Sequence, residues 1–247
     1  MRCSVLAIFE VLAIYFATSP SCGTLYVMLK TNLMKIILLI LLSFFSFSKV
    51  FATAQYPDKI LFNDIEYSLL TNPLEKYFEK NEDKRPKGGV MSTALWRGYV
   101  ATFEIIQNQL YVKDIEIQIW NEKSDDTEWK SVIDEVFPKT EDRRIDWFNG
   151  LLTLPYGELI NYIHMGYGST YENYIIIEIE KGKYKKSKDL NFKEYENLKK
   201  RQFEAYKKSN EYLDRKKELK KDGWKQKDID GFLRSFVTDY TEKLLIE

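Results

Sequence analysis

The chain has 247 residues, 45% of them hydrophobic, and its 37 basic residues equal its 37 acidic residues in number. This length and composition favour one folded domain, with or without an appendage, and exclude global disorder. The balanced charge argues against a dedicated nucleic-acid binder. One histidine, His164, and two cysteines, Cys3 and Cys22, are too few for a typical zinc site, so we predict no metal and no cofactor.

The first feature along the chain is a candidate leader. Met34 and a lysine precede an uncharged stretch, residues 36–48, which small residues follow. This order is typical of a secretory signal peptide, and the stretch is shorter than the roughly 20 residues that span a bilayer. We therefore predict a signal peptide over residues 34–54, cleaved before Thr53 or Gln55. Its retention as a membrane anchor is the alternative.

Residues 1–33 precede a leader that already has its own methionine. We predict that they are an upstream extension from a mis-assigned start, with Met28 or Met34 as the true initiator. Both cysteines then lie outside the mature protein.

A break in composition near residue 181 divides the rest of the chain. Residues 55–180 hold 13 basic and 23 acidic residues, whereas residues 181–227 hold 18 and 8. This break predicts a sheet domain over residues 55–188 and a helical hairpin over residues 189–247.

The predicted sheet domain carries mostly strand and turn signals. Asn63-Asp64 is a predicted hairpin turn, because both side chains tolerate a positive φ. The segment Ile115–Ile119 alternates isoleucine with Glu or Gln, the pattern of a strand exposed on one face. We expect Pro155 to end the strand that precedes it. The predicted strands span residues 59–62, 65–69, 96–106, 110–120, 147–154, 158–165 and 174–180.

Two short helices are predicted among these strands. Asn72 is a candidate N-cap, with Pro73 in the first turn. Asp125 or Asp126 is a candidate cap for the second helix, which Pro138 ends. Hairpin-length connections favour antiparallel pairing. These signals predict an α+β fold, a mainly antiparallel sheet with two short helices, followed by a C-terminal basic helical hairpin.

The C-terminal segment changes to helical signals. Asn191 and Glu194 form a capping box for a helix that runs to about Lys221, and a second helix with a fuller apolar face is predicted over residues 227–246. The basic residues of the first helix fit either a solvated surface or a partner-binding surface. We expect no nucleic acid, because the chain is predicted to be exported.

The segment Asn161–Tyr174 concentrates residues that could carry chemistry. His164 is a candidate general base, and Glu172, across the predicted turn, is a candidate to orient it. Ser169 lacks the sequence context of an activated nucleophile, and Gly166-x-Gly168 lacks the other residues of a nucleotide-binding loop. The alternative is that His164 is an ordinary strand residue and that the glycines only permit the turn.

A second candidate group involves binding. Arg97 lies in Trp96-Arg97-Gly98-Tyr99, where a guanidinium among aromatic rings could bind an anion or a carbohydrate. The hydroxyls of Tyr167 and Ser169 are candidate members of a polar cradle. The alternative for Arg97 is a buried ion pair with an acidic residue such as Glu104 or Asp114.

Three stretches of the sequence carry a resemblance: Trp96–Glu104, Leu110–Ile115 and His164–Glu172. They resemble a loose set of uncharacterised bacterial proteins that share a WRGY-AT-E strand and an H-x-GY-S-x-YE turn. The resemblance covers about residues 56–180, without the helical tail. It implies no known activity, and it directs attention to Arg97, His164 and Tyr167.

These observations predict an exported bacterial protein that acts as a non-catalytic interaction or binding module of the periplasm or cell surface. Its predicted partner is an unknown protein or envelope component. One alternative is a small hydrolase with His164 as general base. Another is a membrane-tethered protein, in which the retained N-terminal segment is the only predicted membrane contact.

Overall fold

The structure is a computed structural model that describes residues 54–164 and 166–245. These residues belong to one unit of internal contacts, Phe51–Glu247. The predicted upstream extension and the predicted signal peptide as far as residue 53 lie outside the described residues. No helix in the described ranges is long and apolar enough to cross a membrane.

A mixed sheet of eight strands forms the centre of the described part of the chain. The strands are β1 (Asp58–Phe62), β2 (Ile65–Leu69), β3 (Val100–Ile106), β4 (Gln109–Asn121), β5 (Asp126–Ser131), β6 (Gly150–Asn161), β7 (Thr170–Glu180) and β8 (Lys183–Asn191). Across the sheet the order is β2-β1-β3-β4-β8-β7-β6, and β5 pairs with β4 off this path. Neighbouring strands are antiparallel except for β1 and β3, which are parallel. The predicted α+β class with a mainly antiparallel sheet is confirmed.

The sheet curls until its two terminal strands meet. Just after β2, the N–H of Leu70 donates to the carbonyl of Thr153 in β6 at 2.9 Å, and the hydroxyl of Thr71 donates to the carbonyl of Leu151 at 3.1 Å. The curled sheet therefore has an inner face that is shielded from water, and burial of its apolar side chains is the main source of stability. The most deeply buried large side chains of this inner core include Ile60, Leu69, Tyr99, Phe103, Leu110, Ile115 and Leu152.

Tight turns fix the register of the hairpins. Asn63 and Asp64 have φ of 52° and 63°, as predicted for the turn between β1 and β2. Gln107 and Asn108 likewise have positive φ, 49° and 65°, between β3 and β4. At the turn between β7 and β8, Gly182 has φ of 70°, and a Cβ there would lie 1.5 Å from a backbone oxygen. Only glycine fits that position.

The predicted helix that begins at Asp125 or Asp126 is wrong for most of its length. Asp126–Ser131 is β5, and only Ile133–Val136 is helical (α2). The long strand β4 extends beyond its neighbours and offers an edge, so tertiary pairing with β5 overrides the local helical pattern.

Pro155 does not end a strand, contrary to the prediction. It lies inside β6 and pairs in register with Tyr174 of β7. The N–H and C=O of Thr153, two residues earlier, point to the outer edge of β6, where they bond Thr71 and Leu70. Pro155 faces the same way, so its missing N–H removes no bond to β7.

Short helices link the strands of the first half. Helix α1 spans Pro73–Phe78, and a 3-10 turn spans Glu82–Lys84. Asn72 does precede α1, but its side chain makes no capping hydrogen bond there. Instead its Oδ1 accepts a hydrogen bond from the hydroxyl of Tyr167. A second 3-10 turn, Thr140–Arg143, follows α2.

The C-terminal helices pack on the outer face of β6 and β7. The tail contains α3 (Phe192–Tyr206), α4 (Asn210–Lys221), α5 (Gln226–Ser235) and α6 (Val237–Tyr240). The Asn191–Glu194 capping box is present, with both reciprocal hydrogen bonds. The single helix predicted to reach Lys221 is broken, because Ser209 caps a new helix by accepting from the N–H of Tyr212. The stacked rings of Tyr174 and Tyr195, 4.0 Å apart, join the tail to the sheet.

Candidate functional site

Arg97 lies in a buried ion pair rather than at an open site. Its Nη1 donates to Oδ2 of Asp58 at 2.9 Å, and the two residues are 4% and 0% exposed. The other carboxylate oxygen of Asp58 accepts the N–H of Ala101 at 2.9 Å. The pairing of Arg97 with a buried acid was predicted as the alternative, but its partner is Asp58 and not Glu104 or Asp114.

The environment of this pair keeps Arg97 charged. Burial alone lowers the pKa of Arg97, but the adjacent Asp58 carboxylate outweighs that effect and raises it. Burial raises the pKa of Asp58, while Arg97 and the N–H of Ala101 oppose the rise. A protonated Asp58 would leave a buried guanidinium without its counter-ion. We therefore take the ionised pair as the state at neutral pH.

Tyr167 lies beside this pair, so the structure does bring two of the predicted binding residues together. The Tyr167 hydroxyl donates to Oδ1 of Asn72 at 2.9 Å and lies 3.4 Å from the carbonyl oxygen of Tyr56. Nη2 of Arg97 donates to the same carbonyl at 2.9 Å. Burial raises the pKa of Tyr167, so its hydroxyl remains a donor over the physiological range.

A second polar group adjoins the pair through Tyr99. The Tyr99 hydroxyl donates to Oε1 of Glu75 at 2.7 Å, and Arg85 holds both oxygens of the same carboxylate at 3.1 and 2.9 Å. Partial burial raises the pKa of Glu75, but these hydrogen bonds outweigh it and lower the pKa below its ordinary value. The network ties α1 to the strands without leaving an open charge.

Several of these groups hold the backbone segment that follows the predicted cleavage point. The N–H of Gln55 donates to the carbonyl of Gly166 at 3.3 Å, and the N–H of Tyr56 donates to Ala94 at 2.9 Å. With Arg97 on the Tyr56 carbonyl, the backbone of residues 55–56 is held from three sides. Arg97 and the Gly166 loop therefore bind the protein's own chain.

The remaining predicted site residues lie at the tip of the β6–β7 hairpin. His164 is exposed in the loop beyond the last paired residue of β6, with its ring 4.5 Å from that of Tyr162. Glu172 lies within β7, where Oε2 accepts the N–H of Glu158 at 3.4 Å. Ser169 accepts the N–H of Ile163 at 3.0 Å and so stabilises the loop. A general-base role for His164 stays a prediction.

Sequence reasoning missed an exposed group of aromatic side chains, here called the aromatic face: Tyr56, Trp120 and Trp129. The rings of Tyr56 and Trp129 meet edge to face at 5.7 Å. The register pairs Trp129 with Gln118 and Trp120 with Thr127, which places both indoles on one side of the β4–β5 hairpin, diagonally adjacent. The three side chains are 44%, 54% and 41% exposed.

The sequence did contain a signal for this face. Trp120 continues the polar positions Glu116 and Gln118 of the alternating strand, and this pattern indicates the exposed side. As a tryptophan it was instead predicted first as a core residue, which is wrong, since it is 54% exposed. Trp129 could not be assigned, because its segment was interpreted as a helix. A further indole, Trp96, is 57% exposed and follows the loop residue Ala94 that holds Tyr56.

A cleft of about 550 Å³ lies between the sheet and the tail. Its lining mixes charges, with Lys76 and Lys243 facing Glu178 and Asp239 among others. Asp239 is exposed in this cleft, with Lys199 and Lys76 near its carboxylate. Within residues 54–164 and 166–245, no group of three or more His, Cys, Asp or Glu side chains could hold a metal ion.

Comparison of the chain with protein-family models, with curated proteins and with solved structures finds no match. The resemblance to uncharacterised bacterial proteins therefore stays a prediction. Function must be argued from the surfaces and sites themselves.

Proposed function

We propose that this protein is an exported, non-catalytic interaction module that binds a protein or envelope component through its aromatic face. In this proposal the signal peptide, residues 34–54, is removed, and a basic C-terminal helical hairpin and two short helices support the sheet. The proposal concerns residues 55–247, which remain after cleavage as the predicted exported bacterial protein.

One observation carries the proposal: three large aromatic side chains share one exposed face, while the polar groups of Arg97 and Tyr167 nearby are hydrogen-bonded within the protein. Exposed, contiguous aromatic groups on a folded protein mark interaction surfaces, and Trp and Tyr contribute most of the energy at such interfaces. By contrast, Arg97 donates hydrogen bonds to Asp58 and to the carbonyl of Tyr56, and Tyr167 donates one to Asn72. This use of the two residues weakens an anion-binding or catalytic interpretation.

Site-specific photo-crosslinking tests the proposal. A benzoylphenylalanine replaces Trp120 or Trp129 in the full chain within the producing cells, and Ile65 serves as the control, since it is 54% exposed on the separate β1–β2 hairpin. We expect the same discrete adduct from both tryptophan positions and none from Ile65. Failure of both tryptophan positions to form an adduct, or an identical adduct from Ile65, would reject the aromatic face as the binding surface.

Export is tested separately. Cell fractionation followed by N-terminal sequencing should find the protein outside the cytosol with Thr53 or Gln55 as its first residue. An intact leader on a cytosolic protein would overturn the proposed location.

A further inference from the structure

The turn between α4 and α5 presents a tryptophan among lysines, here called the lysine–tryptophan tip: Lys220, Lys221, Trp224, Lys225 and Lys227. Every residue from 221 to 228 is exposed. Helix α4 ends at Lys221, and Gly223 follows with a φ of 88°, which lets the N–H of Trp224 return to the carbonyl of Leu219 at 3.0 Å. This cap fixes the turn and sets the direction in which Trp224 leaves the helix.

The lysines of the tip are available for a partner. Elsewhere in the tail, lysines pair with acids one turn away, as Lys199 does with Glu196 and Lys207 with Glu204. Among the described residues, no ion pair engages any of the four lysines of the tip. Two aspartates, Asp222 and Asp228, leave residues 220–228 with an excess of positive charge.

Trp224 has a structural contact but is not buried by it. The ring centroids of Trp224 and Phe232 are 5.3 Å apart, and Trp224 remains 42% exposed. An indole that is apolar on one side, with an N–H donor, suits the headgroup region of a bilayer. Lysines around it extend to anionic headgroups while their alkyl chains stay near the apolar boundary.

We propose that the lysine–tryptophan tip docks on the surface of a membrane that contains anionic lipid. Charge complementarity selects this occupant, since the tip combines unpaired lysines with an exposed indole, the two components of a peripheral lipid contact. The contact adds a membrane surface to the predicted interactions of the chain. It does not depend on the aromatic face, which lies in the β4–β5 hairpin and at Tyr56.

Vesicle co-sedimentation tests this proposal. The full chain is mixed with vesicles of phosphatidylcholine alone or with 30% phosphatidylglycerol, and the leader is the same in every variant. A lysine close to an anionic surface strengthens partitioning roughly fivefold. We expect Lys220→Gln with Lys221→Gln to weaken binding to the anionic vesicles about 25-fold, and Lys220→Arg with Lys221→Arg to preserve it. Trp224→Ala should also weaken binding, whereas Trp96→Ala, which removes an exposed indole outside both proposed surfaces, should not.

Three results would overturn the proposal. The first is equal binding of the native chain to both kinds of vesicle. The second is unchanged anionic binding in the glutamine variant, with folding verified by circular dichroism. The third is saturable, tip-dependent binding of a DNA oligonucleotide by a chain that does not bind the anionic vesicles, which would assign the tip to nucleic acid. Crosslinking at Trp120 would be unaffected by any of these, so the two proposals fail separately.

Discussion

Replacement of Arg97 by methionine tests the buried network most directly. The change removes the partner of a fully buried carboxylate, Asp58, and the donor to the carbonyl of Tyr56. Removal of one member of a buried ion pair costs about 3–5 kcal/mol, because the other charge stays buried without compensation. Domains of this size have about 5–15 kcal/mol in total, so Arg97→Met should remove a large part of the free energy of unfolding.

Urea denaturation measures this effect. We expect the double variant Asp58→Asn with Arg97→Met to regain about 2 kcal/mol relative to Arg97→Met, because no buried charge remains and the amide oxygen still accepts from Ala101. The matched control is Glu66→Gln, which breaks the exposed Lys59–Glu66 pair, 3.8 Å long, and should cost under about 0.5 kcal/mol.

The variant should also acquire a pH dependence. Without Arg97, burial raises the pKa of Asp58 in the folded state above its unfolded value. Stability from a raised carboxyl pKa is fully present below the unfolded pKa and is lost as the pH rises through the folded pKa. Arg97→Met should therefore be relatively more stable in acid than at neutral pH. A loss under about 1 kcal/mol with no added pH dependence would refute the ionised buried pair.

Three further results are expected. Glu75→Gln should cost about 1–2 kcal/mol at pH 7 and less in acid, because the lowered pKa of Glu75 gives stability that is lost as the pH falls through it; urea titrations at pH 7 and 3 check this. Tyr167→Phe should cost about 1 kcal/mol in the same assay, since Asn72 loses its donor. His164→Ala should leave nitrophenyl-ester hydrolysis at the level of the native chain, and a selective loss would favour the hydrolase.

Short-range sequence patterns correctly predicted the elements that depend on interactions within a few residues. The Asn63-Asp64 turn and the Asn191–Glu194 capping box depend on backbone preferences and on hydrogen bonds within a few residues, and both are present. β5 and β8 depend on edges that β4 and β7 provide, so a charged segment such as Lys183–Asn191 gave no strand signal of its own. Strand propensity of that kind is set by tertiary pairing.

The candidate site was likewise predicted only in part. The residue types at Arg97 and Tyr167 indicated a polar cluster, and the structure does place them side by side. What the sequence could not supply was the third member, because Asp58 lies 39 positions away from Arg97 and reaches it only through the parallel pairing of β1 with β3. Without that topology, Glu104 and Asp114 were predicted as partners of Arg97, because they lie nearer to it in the sequence than Asp58 does.

The hydrogen bonds that Arg97 and Gly166 make with the backbone of residues 55–56, here called the clamp, link the buried network to the exposed face. Arg97 and Gly166 come from two of the three stretches that carry the resemblance, and they hold opposite ends of the same short backbone segment. Tyr56, whose carbonyl Arg97 fixes, is also the ring that meets Trp129 on the aromatic face. The polar network therefore positions one edge of the proposed binding surface. A variant that loosens the clamp should weaken partner binding even though it touches no exposed residue.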